Sequence, residues 1–223
     1  RFCLEPFNNF YFEWTQVIFF LSLASMFLGA IAAIAQKSIK RLLAYSSIGH
    51  VGYVLIALVA ASDQGIRSAS IYMFIYLIMN ISVFAILLSL KKSDKYVEQI
   101  DELSGLSKFN PIVSACLAII MLSMAGIPPF IGFFGKFYVF IAAVESQQYI
   151  LAILGVLASV ISAFYYLRII KGMYFDEAID GDNFDFTINN QAKVILITLM
   201  FIITFFILYP SLLTSIVSGI SLV

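Results

Sequence analysis

The chain has 223 residues, 62% of them hydrophobic and 12% charged, against roughly 45–50% apolar and about 25% charged in an ordinary soluble domain. That composition belongs to a membrane protein. Thirteen Lys and Arg balance thirteen Asp and Glu, which leaves no basic surplus for nucleic-acid phosphates and no acidic surplus for a basic partner, so nucleic-acid binding is excluded as the main role. The two cysteines, Cys3 and Cys116, lack the paired spacing of a metal site or redox motif and read as packing residues.

Residues 1–13 begin on Arg1 and show no basic region, short apolar stretch and small-residue cleavage site of a signal peptide. They read as a non-cytoplasmic lead-in, and the chain as a piece of something longer. Six apolar stretches follow, at about 14–36, 45–61, 69–90, 111–144, 149–170 and 192–217. A bilayer crossing needs about 20 helical residues, and lipid-exposed backbone must satisfy its own hydrogen bonds, so these predict an all-α membrane bundle of six transmembrane helices. The fourth stretch is too long for one straight crossing and is interrupted at Gly126-Ile-Pro-Pro129, which predicts a discontinuous helix.

Lys and Arg in short loops mark the cytoplasmic side, while acids contribute little. Lys37, Lys40 and Arg41, then Lys91, Lys92, Lys95 and Lys108, then Arg168, Lys171 and Lys193 all fall at loops one, three and five. Only Arg1 and Arg67 fall on the other side. Loops 37–44, 91–110 and 171–191 are therefore expected on the cytoplasmic or matrix side, with both ends of the chain opposite. Loop three carries Val97, Ile100, Leu103 and Leu106 at helical spacing against Glu98, Asp101 and Glu102, which predicts a short helix on the membrane surface. Loop five is acidic with Gly and Asn punctuation and reads as solvated; calcium binding is a remote alternative, because the regular ligand spacing is absent.

One cation lies inside a span. Lys136 stands seven residues beyond Pro129, where a charge costs about 2.5–3.5 kcal/mol on insertion scales; such residues are functional candidates by default. A proton-transfer role competes with a snorkelling lysine that reaches for headgroups. No acid lies deep in any span, Glu13 and Glu145 being near span ends, so a carboxylate partner has to come from outside this chain. The Gly126, Pro128 and Pro129 break frees backbone carbonyls in mid-membrane, and breaks of this kind survive where they are buried in protein or line a wet cavity.

His50 is the single histidine, and imidazole is the side chain best suited to relaying protons near neutral pH. Ser46 lies one turn before it, with Ser47 and Tyr53 three residues to either side, so one helix face can carry a hydrogen-bonded string. A buried imidazole with a purely structural bond is the competing reading. Tyr76 and Asn80 share a face of the third span, and Tyr165 adjoins Tyr166 in the fifth; such groups line water files or serve as packing glue. Ser25, Gly29 and Ala33, like Gly155, Ser159 and Ala163, recur every fourth residue and predict two close-packing helix faces. Trp14, Tyr149, Tyr174 and Tyr209 sit near span ends, where aromatic belts form. No phosphate loop, cysteine cluster or haem-ligand pair is visible, so no cofactor or metal site is expected in this chain.

The string Ile39-Lys-Arg-Leu-Leu-Ala-Tyr-Ser-Ser-Ile-Gly-His-Val-Gly-Tyr53, followed by Leu122-Ser-Met-Ala-Gly-Ile-Pro-Pro-Phe-Ile-Gly-Phe-Phe-Gly-Lys-Phe-Tyr138, closely resembles the subunit N family of proton-translocating NADH-quinone oxidoreductase, respiratory complex I. Gly105-Leu-Ser-Lys-Phe-Asn-Pro111 and Ser162-Ala-Phe-Tyr-Tyr-Leu-Arg168 resemble the same family. The resemblance covers nearly the whole chain. It implies helices nine to fourteen of a fourteen-helix antiporter-like fold, with 111–144 as the broken twelfth helix. Lys136 then falls on the family's outer proton-path lysine and His50 on a histidine of the tenth helix. It also implies a bacterial inner or mitochondrial inner membrane, neighbouring antiporter-like subunits and other membrane subunits as partners, and FMN, iron-sulfur clusters and quinone in those partner subunits. The family's other broken helix, its glutamate and lysine pair and its central lysine fall upstream of Arg1, so this stretch is not by itself a complete proton channel.

Three readings follow: a proton-translocating complex I subunit, a subunit of a multisubunit cation/proton antiporter, and a structural membrane spacer. The Gly-Phe-Phe-Gly-Lys-Phe-Tyr string favours the first.

Overall fold

The computed structural model describes residues 11–92, 95–177 and 184–208. Cys3, Tyr209, part of loop five and the end of the sixth apolar stretch lie outside the described residues. The described residues are mainly helical, and among them five helices are long and apolar enough to cross a membrane. In chain order the helices are α1 (Tyr11–Ile34), α2 (Ile39–Val59), α3 (Asp63–Leu87), a short α4 (Leu106–Phe109), α5 (Pro111–Ala125), α6 (Ile131–Glu145), α7 (Tyr149–Phe175) and α8 (Asn190–Phe205). Among these, α5 and α6 are half-length helices separated by residues 126–130.

Local signals, not hydropathy, set several helix ends. Ser62 accepts a hydrogen bond from the Gly65 amide and Asp63 sits in the first turn of α3, so this helix begins well before its apolar window. Asn110 caps α5 through Val113 with Pro111 at the first helical position, and Asn189 caps α8 through Ala192. Beyond their apolar windows, α2 begins at Ile39 and α7 continues to Phe175. Lys40, Arg41 and Arg168 are thus helical rather than loop residues.

Small residues decide how closely the helices approach. A Cβ on Gly29 of α1 would lie 2.6 Å from the Gly49 amide nitrogen and 2.7 Å from the Tyr45 carbonyl oxygen of α2. The two backbones cross in contact, which only glycine permits. A Cβ on Gly155 of α7 would lie 2.8 Å from both Ile56 of α2 and Phe140 of α6. The core is continuous from α2 and α3 through α5 to α7 and α8, while Val17, Phe20 and Ile31 on α1 and Ile153 and Val160 on α7 point outward, as apolar surroundings allow.

Loop three departs from the amphipathic helix that its spacing predicts. Leu90–Lys92 (β1) pairs antiparallel with Lys95–Tyr96 (β2) and with Phe184–Phe186 (β3) from loop five, a small sheet in the order β2-β1-β3. A 3-10 turn at Asp101–Leu103 and α4 follow. Val97, Ile100, Leu103 and Leu106 are all buried, so their spacing records four separate plugs into the core and not one helix face. The Glu102 carboxylate accepts from the Glu98 and Gln99 amides, and the Ile39 amide donates to the Glu98 carbonyl while Ile100 donates to Lys37. These backbone bonds hold the chain extended against the α1–α2 turn, where a helix would have no partner for it. Loop five likewise contributes a strand where a solvated loop was expected.

Candidate functional site

Lys136 lies in the second turn of α6, and its side chain is buried at 5% exposure. Helical side chains lean toward their own N-terminus, so the lysine points back at the break between α5 and α6. There α5 ends at Ala125 and is capped by Gly126, whose left-handed φ of 85° turns the chain so that the Ile127 amide donates back to the Leu122 carbonyl. A Cβ at Gly126 would lie 2.8 Å from Lys136 Cδ and 3.0 Å from Nζ. The glycine serves both the turn and the lysine. Pro128 and Pro129 are exposed in the connection that follows, and the Ser123 hydroxyl accepts from the Gly132 amide at 3.1 Å, which ties the start of α6 to the end of α5.

The ammonium is fully partnered. Nζ donates to the Ala125 carbonyl at 2.8 Å, to the Met124 carbonyl at 3.3 Å and to Ser159 Oγ of α7 at 2.8 Å, three acceptors for three N–H groups. It also lies 5.1 Å from the centroid of the Tyr53 ring, where the π face is negative. The last carbonyls of a helix carry partial negative charge and stabilise a nearby cation by about 0.3–1 kcal/mol, up to about 2 when buried. The α5 terminus therefore supplies part of what offsets the cost of the buried charge.

A second cluster sits on the side of Lys136 toward the start of α2. His50 is buried, with Nδ1 2.8 Å from the Tyr72 hydroxyl of α3 and Nε2 3.0 Å from the Tyr166 hydroxyl of α7. The Tyr166 hydroxyl also bonds Ser46. Tyr76 stacks on the imidazole at 4.6 Å between centroids, and Tyr53 contacts both the His50 and Tyr72 rings at 6.3 and 6.1 Å. Tyr53 thus stands between the two clusters. One turn past Lys136, in the opposite direction, Ile56, Phe140 and Gly155 close together with Val139, Ala143 and Leu151 in an apolar core.

Of the candidates read from the sequence, Ser46, His50, Tyr53, Tyr76, Gly126 and Lys136 converge here. Tyr165 is buried with its ring against Tyr166 at 4.4 Å. Ser47 is half-buried and donates to the Ala44 carbonyl of its own helix, and Asn80 is half-buried one turn beyond Tyr76 on α3. Tyr166, read from the sequence only as a neighbour of Tyr165, also joins the cluster, while Tyr72, Ser123 and Ser159 were missed as functional candidates. Tyr72 lies one turn before Tyr76, and Ser159 belongs to a small-residue stripe that reads as packing; no local pattern separates either from ordinary core.

A half-length helix pair with a buried lysine at the break, packed among long apolar helices, defines an antiporter-like membrane protein. The chain belongs to the NADH:quinone oxidoreductase/Mrp antiporter transmembrane family, whose sequence profile matches residues 2–162. NADH-quinone oxidoreductase subunit N of Pelagibacter ubique is 50% identical over 223 residues, covering 100% of this chain and 47% of that protein. The subunit N of Rhodospirillum rubrum is 50% identical over 211 residues, 95% of this chain and 43% of that protein. A chain of respiratory complex I from Thermus thermophilus with bound aureothin superposes with a TM-score of 0.77 at 28% identity, covering 90% of this chain and 45% of that one. The chain spans about half the length of the curated relatives it matches.

Proposed function

We propose that this chain is part of a proton-translocating membrane subunit of NADH-quinone oxidoreductase, in which Lys136 takes up and releases a proton as quinone is reduced elsewhere in the complex. The observation that carries this reading is the Lys136 ammonium held by the Met124 and Ala125 carbonyls and Ser159. A buried cation held by two carbonyls and a hydroxyl is stabilised enough to exist, and losing its proton leaves none of these three neutral acceptors as an orphaned anion.

In this reading the chain contributes six crossings to a fourteen-helix fold, the fourth made of α5 and α6 and broken at Gly126-Ile-Pro-Pro129. Loops 37–44, 91–110 and 171–191 face the cytoplasm or matrix of a bacterial inner or mitochondrial inner membrane. The partners are the other membrane subunits of the complex, including neighbouring antiporter-like subunits. FMN, iron-sulfur clusters and quinone reside in the partner subunits, and this chain moves protons rather than electrons.

The test is NADH-driven proton uptake by membrane vesicles carrying the assembled complex, comparing the native chain with Lys136→Ala at equal complex content and recording quinone reduction alongside. Joint loss of uptake and reduction is expected. Unchanged uptake would make the lysine a packing or snorkelling residue and the chain a spacer. Sodium-dependent transport without NADH would instead assign it to a cation/proton antiporter.

A further inference from the structure

Resting on the proton-transfer reading of Lys136, we propose that Ser123 is a positioning residue: its hydroxyl caps α6 from the end of α5 and so keeps Lys136 beside the Met124 and Ala125 carbonyls in both protonation states.

Three serines of other helices, Ser70, Ser82 and Ser162, each donate to the carbonyl four residues earlier in their own helix, the usual choice of a helical serine. Ser123 does otherwise. It is fully buried in the last turn of α5, and its hydroxyl donates to Met79 Sδ of α3 at 3.2 Å. With its one proton turned to sulfur, the oxygen keeps a lone pair for the Gly132 amide of α6, 3.1 Å away.

Gly132 is the second residue of α6, and the amides of the second and third helical residues are the ones a capping side chain meets. In α3, α5 and α8 the cap is the residue just before the helix, Ser62, Asn110 or Asn189. Phe130, which precedes α6, has no side-chain oxygen to offer and makes no such bond. Ser123 supplies it from across the break. Close backbones make that reach possible: a Cβ on Gly132 would collide with the Ser123 carbonyl oxygen and lie 2.7 Å from the carbonyl carbon, so only glycine admits the contact.

Ser123 immediately precedes Met124 and Ala125, whose carbonyls hold Nζ, and Gly132 lies one turn before Lys136. The same end of α5 therefore meets two successive turns of α6, once through Ser123 and once through the lysine. The two links respond differently to a proton. An ammonium has three N–H groups for its three acceptors and a neutral amine has two, so one lysine bond opens when the proton leaves. The Ser123–Gly132 bond joins neutral groups and has no charge to lose. It persists through the change and holds the lysine where the next proton finds the same acceptors.

The experiment uses vesicles with the whole complex, at equal complex content, carrying Ser123→Ala, Ser123→Thr, Ser123→Val or Lys136→Ala. Threonine and valine have nearly the same shape, and of the two only threonine has a hydroxyl. NADH-driven proton uptake is recorded together with amide hydrogen exchange in the segment 131–135. A positioning role requires Ser123→Ala and Ser123→Val to lower uptake roughly tenfold or more and to speed exchange in that segment, while Ser123→Thr keeps more than half of native uptake and exchanges as the native chain does. If Ser123→Ala keeps more than half of native uptake while Lys136→Ala abolishes it, the hydroxyl serves packing only and the proposal is overturned, with the lysine reading intact. Equal losses in Ser123→Thr and Ser123→Val would make bulk, not the hydroxyl, decisive and overturn it as well. Where Ser123→Thr fails to assemble, Ser123→Ala decides: lost uptake with faster exchange supports the cap, and lost uptake with unchanged exchange removes it. If Lys136→Ala leaves uptake unchanged, the lysine reading falls and this proposal with it.

Discussion

The Lys136 ammonium stands 2.8 Å from the carbonyl oxygen of Ala125, the last residue of α5. A buried side-chain charge is thereby matched to the C-terminal end of a half-length helix. The break supplies acceptors that an unbroken helix would spend on its own backbone, and Gly126 keeps them within reach.

Gly126→Ala tests that coupling. The new Cβ would lie 2.8 Å from Lys136 Cδ, and a left-handed backbone costs a non-glycine residue about 1–2 kcal/mol. The variant is expected to assemble at reduced yield and to lose most NADH-driven uptake even at matched complex content. Native uptake at native yield would show that the lysine geometry tolerates displacement.

Lys136→Arg separates charge from proton exchange. Guanidinium stays protonated in proteins, so the variant keeps the cation and loses the exchangeable proton. Assembly is expected to survive while uptake falls to the Lys136→Ala level, measured in vesicles with quinone reduction alongside. Substantial uptake with arginine would mean that fixed charge suffices.

Ser159→Ala removes one of the three acceptors on Nζ. Hydrogen bonds to charged groups contribute about 1.5–3 kcal/mol, so a several-fold loss of uptake at unchanged complex content is expected. Ser159→Thr, which keeps the hydroxyl, is expected to restore most of it, and equal activity of all three chains would remove Ser159 from the site.

Arg168→Lys probes the end of the bundle near the small sheet. Arg168 donates through Nη1 to the Ile34 carbonyl and through Nη2 to the Gln36 carbonyl, both at 2.8 Å, and closes the end of α1 from α7. Lysine cannot make that forked contact. The assembled complex is expected to dissociate or unfold at lower temperature in a detergent thermal-shift measurement, with uptake per surviving complex unchanged.

Gly29→Ala is expected to act on assembly alone. Its Cβ would meet the α2 backbone 2.6 Å away at Gly49, and backbone, unlike a flexible side chain, cannot move aside cheaply; overpacking costs about 1–3 kcal/mol. Complex content, read by immunoblot of membranes, is the measurement.

The membrane class, the helical character and the burial of a charge at Lys136 were legible in the residues themselves. Hydrophobic length and the cost of a buried charge are local properties of a sequence. The close α1–α2 crossing was partly legible in the Ser25, Gly29 and Ala33 stripe for the same reason. The strands at Leu90–Lys92 and Phe184–Phe186 were not, because they pair segments distant in the chain and no period records that. Val97, Ile100, Leu103 and Leu106 look like one helix face until the core positions each of them separately. Likewise, nothing near Lys136 in sequence names Ser159 as its partner, and nothing near His50 names Tyr72 or Tyr166. Three helices had to pack before those hydroxyls met the imidazole, since hydrogen-bond partners are chosen by position in space. The sequence by itself determined which residues are costly to bury; the tertiary structure alone decided which groups offset that cost.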